Sequence, residues 1–342
     1  MNNTTISGPL TVDIGLTEIE LWVQLIFFYT LLCGVYCTFS NLVIALTIYK
    51  TKTLRTRFFV IIGFLSFGRA LSSAQLFVVG VQRSLRTVGL VSIFQQRYVC
   101  NVIHFWLLHG QGLEASLLLL LVCDRVAALA YIAKYRSFKV RSACQICIGC
   151  YVLSILVMNT PAFMGITLGQ VVSCVNTYSA ISELSNQMFR VIDFLLIFAV
   201  VAFYAVLAVY IRVRLGRASR ESMSQAEQAS MSRQMALIPY LRNQVIMHVF
   251  LSLTTKLLYF LASIIIQHGK RIAAYGGVLM TIDLFLNTTL LLFRNKEIRS
   301  AASHTMKNVW NKPSNQVASI VISRGNQQVS SANHRRTEIV GL

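Results

Sequence analysis

Seven stretches of this chain are apolar over about 20 residues or more, the length a helix needs to cross a hydrocarbon core roughly 30 Å thick. Residues 21-49 and 142-169 contain no charged side chain. Residues 58-82, 98-123, 191-211, 244-266 and 272-293 contain one each, namely Arg69, Glu114, Asp193, Lys256 and Asp283. The expected fold class is therefore all-α, a seven-transmembrane helix bundle. Charged residues are 13% of the chain, against about 25% in a soluble domain, which sets the water-soluble enzyme classes aside. No repeat of fixed period stands out, and an odd number of spans does not divide into the paired halves of many transporters.

The basic residues orient the bundle. Of 31 Lys and Arg, 23 fall in segments 50-57, 124-142, 212-243 and 294-342, which share one side if the helices alternate. Basic residues accumulate on cytoplasmic loops, so the N-terminus is expected outside and the protein in the plasma membrane as a multi-pass chain. The same rule explains the net charge of +19 without a nucleic-acid partner. Residues 1-20 carry Asp13, Glu18 and Glu20 with no Lys or Arg, and lack the basic n-region of a cleaved signal peptide. The expected organisation is an extracellular N-terminus at 1-20, the membrane domain at 21-293, an amphipathic helix at 294-310 and a disordered cytoplasmic tail at 311-342.

This topology sorts the modifiable residues. Asn2 and Asn3 each begin a glycosylation sequon on the outer side, whereas the sequon at Asn287 lies inside the seventh span. Of eight cysteines, only Cys100 and Cys174 face an oxidising compartment. They are expected to form a disulfide pinning the second outer loop over the bundle mouth; two independent thiols are the alternative. Cys144, Cys147 and Cys150 imitate a repeated C-x-x-C, but an apolar helix with no second ligand cluster nearby favours packing over metal binding. His104 and His109 are five residues apart and fit no hydrolytic metal motif. No metal, cofactor or enzymatic activity is expected.

At the inner end of span three stands Cys123-Asp124-Arg125-Val126. It resembles the Asp-Arg-Tyr segment of rhodopsin-like G-protein-coupled receptors, and the 25 residues from Cys100 to Arg125 match that family's spacing from disulfide cysteine to arginine. Asn41 in span one, Pro161 late in span four, Asn287 late in span seven and Phe293-Arg294-Asn295-Lys296-Glu297-Ile298-Arg299 opening an eighth helix follow in the family's order. The likeness covers residues 21 to about 310. Val126 replaces the family's tyrosine, Tyr151 its span-four tryptophan, span six lacks its proline, and Asn287-Thr288-Thr289-Leu290-Leu291 lacks two landmarks of Asn-Pro-x-x-Tyr. In this erosion the chain is most similar to the divergent nematode serpentine chemoreceptor families. The resemblance implies an activation switch at Asp124 and Arg125: an ion pair that holds the inner end closed until neighbouring helices part.

Four charges inside spans form a second constellation. Counted from the cytoplasmic ends of the apolar windows, Arg69, Glu114, Lys256 and Asp283 each lie 11 or 12 residues in, about 16 to 18 Å deep. Their charges sum to zero, and a lone ion at that depth costs about 2.5 to 3.5 kcal/mol on insertion scales, so mutual pairing is expected. In the family alignment Arg69 falls on a sodium-binding aspartate, with Glu114 and Asp283 lining the same pocket. The expectation is that Arg69 replaces the sodium ion, held by Glu114 and Asp283 with Lys256 nearby; separate polar cavities are the alternative.

A small extracellular ligand is expected between the outer halves of spans three, five, six and seven, against His104, Leu107, Leu108, Gln111, Tyr259, Tyr275 and Met280, although such side chains at helical spacing also simply pack. Leu107 and Leu108 stand at the level where amine receptors carry an aspartate, and Thr281 where visual pigments carry the retinal lysine, so the resemblance argues against amines and light. The implied function is a chemosensory receptor in the lipid bilayer that binds this ligand and activates a heterotrimeric G protein. A seven-span channel or transporter using the mid-membrane charges is the alternative.

Overall fold

The computed structural model describes residues 21–87, 90, 94–131, 135, 139–160, 170–172, 183–218, 225–264 and 269–307. Their architecture is a bundle of seven long helices followed by a short eighth. The helices are α1 (Leu21–Lys50), α2 (Arg57–Thr87), α3 (Arg97–Ala130), α4 (Val140–Ser154, continued by a π turn over Ile155–Asn159), α5 (Glu183–Ala218), α6 (Gln225–Ile264) and α7 (Gly269–Arg294). Residues 296–307 form α8. Two three-residue strands, β1 (Phe94–Gln96) and β2 (Gln170–Val172), pair antiparallel with Gln95 opposite Val171. They tie the segment entering α3 to the loop between α4 and α5.

Five helices are long and apolar enough, by length and composition, to cross a membrane: Gln24–Lys50, Arg57–Gln82, Val140–Val157, Phe194–Val213 and Tyr275–Arg294. α3 and α6 complete the bundle, and part of each lies outside the described side chains. The surface supports a lipid environment. Phe28, Phe39, Val191, Phe198 and Phe250 are more than half exposed, while Asn41, Ser66, Arg69, Ser73, Gln244 and Asn287 are buried. A protein in water does not present so much contiguous apolar surface; in lipid that surface is solvated and the polar groups must find one another.

Helices α1, α2 and α3 approach closely because glycines stand where they meet. A Cβ on Gly34 would lie 2.8 Å from the backbone nitrogen of Phe77, and one on Gly80 3.3 Å from the Leu31 side chain. On Gly110 it would collide with the Ser72 hydroxyl. Small residues at such crossings let membrane helices gain van der Waals contact without a hydrophobic driving force. Polar ties join the rest. Asn41 Nδ2 donates to Thr288 Oγ1 at 2.8 Å, binding α1 to α7, and the Tyr151 hydroxyl donates to the Phe64 carbonyl at 2.9 Å, binding α4 to α2. Toward the end of the bundle where α1 meets α2 in sequence the interior is apolar, with Ile44, Phe58, Ile62, Leu117, Leu121, Leu207, Leu241 and Leu291 in one cluster.

α8 is amphipathic, as the sequence predicts. The Ile298 amide donates to Asn295 Oδ1 at 3.1 Å, an N-cap. Ile298 and Ala302 are buried while Lys296, Glu297 and Arg299 face out. In the segment between spans five and six, 212-243, both helices are expected to run on and then give way to a mobile part around Ser219 to Ser232; α5 continues to Ala218 and α6 is already helical from Gln225, while 219–224 lie outside the described residues. Residues 1–20 and 308–342, with Asn2, Asn3 and the expected tail, also lie outside them.

Gly34→Ala is expected to destabilise the purified protein by about 1–3 kcal/mol, because its new methyl meets backbone that cannot rotate away. Gly149, with open space around the same position, serves as control: Gly149→Ala should leave the thermal unfolding midpoint unchanged or slightly raised.

Candidate functional site: a buried polar cluster and a cytoplasmic clasp

Near the centre of the bundle, four helices contribute polar side chains to one hydrogen-bonded cluster. Arg69 on α2 is 1% exposed. Its Nε donates to Glu114 Oε1 on α3 at 2.8 Å, and its Nη2 donates to the same oxygen at 2.5 Å and to Gln244 Oε1 on α6 at 3.0 Å. Gln244 Nε2 donates to the Asn287 carbonyl on α7 at 3.2 Å. The Asn287 amide donates to Asp283 Oδ1 at 2.6 Å. The other Asp283 oxygen lies 3.2 Å from His248 Nδ1 on α6, and that nitrogen is 3.5 Å from Glu114 Oε1. All six residues are buried.

This pairing differs from the sequence expectation at two points. Arg69 meets Glu114, but the ion-pair partner of Asp283 is His248, so the histidine stands between the carboxylates where the guanidinium was expected to bridge them. Lys256 does not belong to the layer. The apolar window of span six begins at Gln244, but this residue contacts Arg69 in the middle of the bundle and does not mark a membrane edge; Lys256, 12 residues on, lies about 18 Å further along α6. Sequence reasoning missed Gln244 and His248. The available signal was their spacing, four residues apart on one face of an otherwise apolar helix.

Near the C-terminal end of α3, Arg125 is 2% exposed and its Nη2 donates to the Asp124 carboxylate. Tyr135, five residues beyond the end of α3, completes a clasp. Its hydroxyl accepts from Arg125 Nη2 at 2.9 Å and donates to Asp124 at 2.9 to 3.0 Å. The guanidinium also stacks on the Phe58 ring at 4.5 Å, and Arg57 covers the Tyr135 ring at 4.4 Å. Burial pushes the Tyr135 phenol up to about 12, with Asp124 adding to the rise and Arg125 and Arg57 opposing it. The hydroxyl therefore keeps its proton, and its donor role, throughout the physiological range. Sequence reasoning missed this residue too, since it lies ten positions after Arg125 and beyond the end of α3.

The other expected site residues divide as follows. His104, Leu107, Leu108, Gln111, Tyr259 and Cys100 lie on described helices but outside the described side chains, and Cys174 lies outside the described residues. Tyr275 is about half exposed, and Met280 packs on Cys37, Leu76 and Leu284, toward α1 and α2 rather than the expected pocket. Cys144 and Cys150 are half-buried and Cys147 buried in α4, all as free thiols.

Seven long helices with Arg69, Glu114 and Asp283 turned inward and an arginine clasped near the C-terminal end of the third have the architecture of a serpentine membrane receptor. The chain belongs to the serpentine type 7TM GPCR chemoreceptor Srsx family, a nematode chemoreceptor family whose model matches residues 34–306. No curated protein matches it significantly in sequence. It is thus a multi-pass membrane protein of a chemosensory receptor family, not of an enzyme family.

The Arg69–Glu114 contact gives a charge-swap prediction. Arg69→Glu and Glu114→Arg should each lower surface expression and thermal stability severely, since breaking a buried pair costs about 3–5 kcal/mol. The double variant should recover part of the loss. Arg69→Asp combined with Asp283→Arg should recover less, because His248 intervenes. Flow cytometry of tagged receptor and melting curves compare the variants.

Proposed function

We propose that the protein resides in the plasma membrane with its N-terminus outside, binds a small extracellular ligand and activates a heterotrimeric G protein. The observation that carries this reading is the clasp of Asp124, Arg125 and Tyr135. It holds a buried guanidinium at the cytoplasmic end of the bundle, where release would free it for a partner's carbonyl groups. The basic loops flanking it are suited to an anionic lipid surface and an acidic partner face. Asp124 and Arg125 are the activation switch, with Tyr135 as its positioning residue.

The outer end carries the ligand. The β1–β2 ladder brings the loop after α4 beside the start of α3, and a Cys100–Cys174 disulfide would hold that loop over the bundle mouth. The ligand then lies beneath that loop, near His104, Leu107, Leu108, Gln111 and Tyr259. Asn2 and Asn3 are glycosylated on the extracellular segment 1-20, and 311-342 is the cytoplasmic tail. The mid-membrane charges favour this reading over a channel or transporter, since Arg69, Glu114, His248 and Asp283 are engaged with one another.

The test is nucleotide exchange on G protein in membranes carrying the receptor, screened against small molecules. Tyr135→Phe keeps the ring but loses the hydroxyl, and is expected to raise ligand-free exchange several-fold; Asp124→Asn should do the same. Exchange that no ligand and neither variant alters, beside a membrane current in the absence of G protein, would establish the channel reading instead. An N-terminal epitope tag should be reached by antibody on intact cells and a C-terminal tag only after permeabilisation.

A further inference from the structure

We infer that His248 is a proton-binding site whose occupancy sets how tightly α6 is held to α3 and α7. The argument is one of charge in a closed space. The cluster holds one fixed cation, Arg69, and two carboxylates, Glu114 and Asp283, all buried. Gln244 and Asn287 add dipoles without charge. With a neutral imidazole the cluster carries one uncompensated negative charge inside a low-dielectric bundle, a costly arrangement. One proton on His248 removes it. The imidazole is placed to accept that proton, since Nδ1 faces both carboxylates, at 3.2 Å from Asp283 and 3.5 Å from Glu114. Histidine is the side chain whose ordinary titration falls in the physiological range.

The surroundings offer no closer competing charge among the described residues. α7 faces the ring with Asp283, α3 with Glu114, and α2 reaches it through Arg69 on the same Glu114 oxygen. On α6 itself Gln244 lies one turn away and Lys256 about 12 Å along the helix. From α5 the core receives Ile197, Val200 and Leu207 together with the phenol of Tyr204, which lies near Arg242; Asp193 is outside the described side chains. A metal ion is the alternative occupant, since the ligand atoms of Glu114, His248 and Asp283 lie within 4.8 Å of one another. Charge argues against it. A divalent cation would leave the cluster net positive, and it would have to share Glu114 Oε1 with two guanidinium hydrogen bonds.

Protonated, His248 is drawn to both carboxylates and joins three helices through one ring. Deprotonated, it keeps at most a neutral hydrogen bond to Asp283, and the carboxylates repel across it. The inference rests on the receptor reading only for its consequence, that rising pH loosens α6 and raises ligand-free signalling. The proton site itself is tested without any G protein.

Full-length receptor, purified in detergent, is melted between about pH 5.5 and 8.5. The folded state binds the extra proton, so stability must fall as pH rises. The midpoint of the native protein is expected to drop by several degrees more than that of His248→Gln across this range. His248→Arg, with a permanent charge, should hold its low-pH value throughout. Where a variant fails to fold, nitrogen-15 spectra of histidine-labelled native protein give a second measurement: one of the six histidines should titrate with a midpoint that Asp283→Asn displaces. Parallel pH profiles for the native protein and His248→Gln would overturn the inference. So would a profile abolished by Asp283→Asn but retained in His248→Gln, which would put the proton on the carboxyl, or a midpoint lowered by chelator and raised by zinc. A melting shift without any pH effect on nucleotide exchange would count against the receptor reading and leave the proton site standing.

Discussion

The Arg69–Glu114 pair is the contact around which the bundle is organised. An arginine placed halfway along a membrane helix has no water to turn to, so the chain must supply its solvation from neighbouring helices. Glu114 supplies the charge and Gln244 a further acceptor. Each of these residues then carries its own helix into register: α3 through Glu114, α6 through Gln244 and α7 through the Asn287 carbonyl that Gln244 reaches. Apolar surfaces in lipid slide past one another at little cost, whereas a buried ion pair has one good geometry. The depth at which α2, α3, α6 and α7 stand relative to one another is fixed here, and the apolar interior below packs around that setting.

The two polar centres divide the work of holding the bundle. The inner cluster joins four helices through side chains that few substitutions could replace without leaving a buried charge. The clasp at Arg125 is local: two neighbouring residues of α3 and one tyrosine just beyond its end. Arg125 itself is buried against Phe58, but Asp124 and Tyr135 are only partly buried, so the clasp can open from its outer members. A switch needs one element that stays and one that changes, and the structure separates them along α3.

The membrane spans were legible in the sequence because a bilayer imposes a length and an apolarity that few other constraints produce. Charges inside those spans were equally visible, and the expectation that Arg69 and Glu114 meet follows from the cost of leaving either alone. Three things were hidden. α6 continues inward through polar residues from Gln225 to Gln244, so the start of its apolar window was not the membrane edge, and Lys256 was placed in the wrong layer. His248 escaped notice because an imidazole is formally neutral and a lone histidine in a helix is usually ordinary packing. Tyr135 was hidden because it lies ten positions after Arg125, beyond the end of α3 and outside the apolar window that marks the span.

The length of α6 below the polar cluster has a mechanical consequence. From Gln244, where the helix is fastened to Arg69, to its first residue at Gln225 there are 19 residues, about 28 Å of helix, of which the far end extends beyond the hydrocarbon core. Such an arm converts a small rotation at its pivot into a large excursion at its tip: a tilt of about 10° at the cluster carries the tip roughly 5 Å. Pro239 sits within the arm near the pivot, where a missing backbone hydrogen bond lowers the resistance to bending. Chemistry confined to a few side chains in the middle of the bundle is thereby geared to motion at the end that carries the clasp.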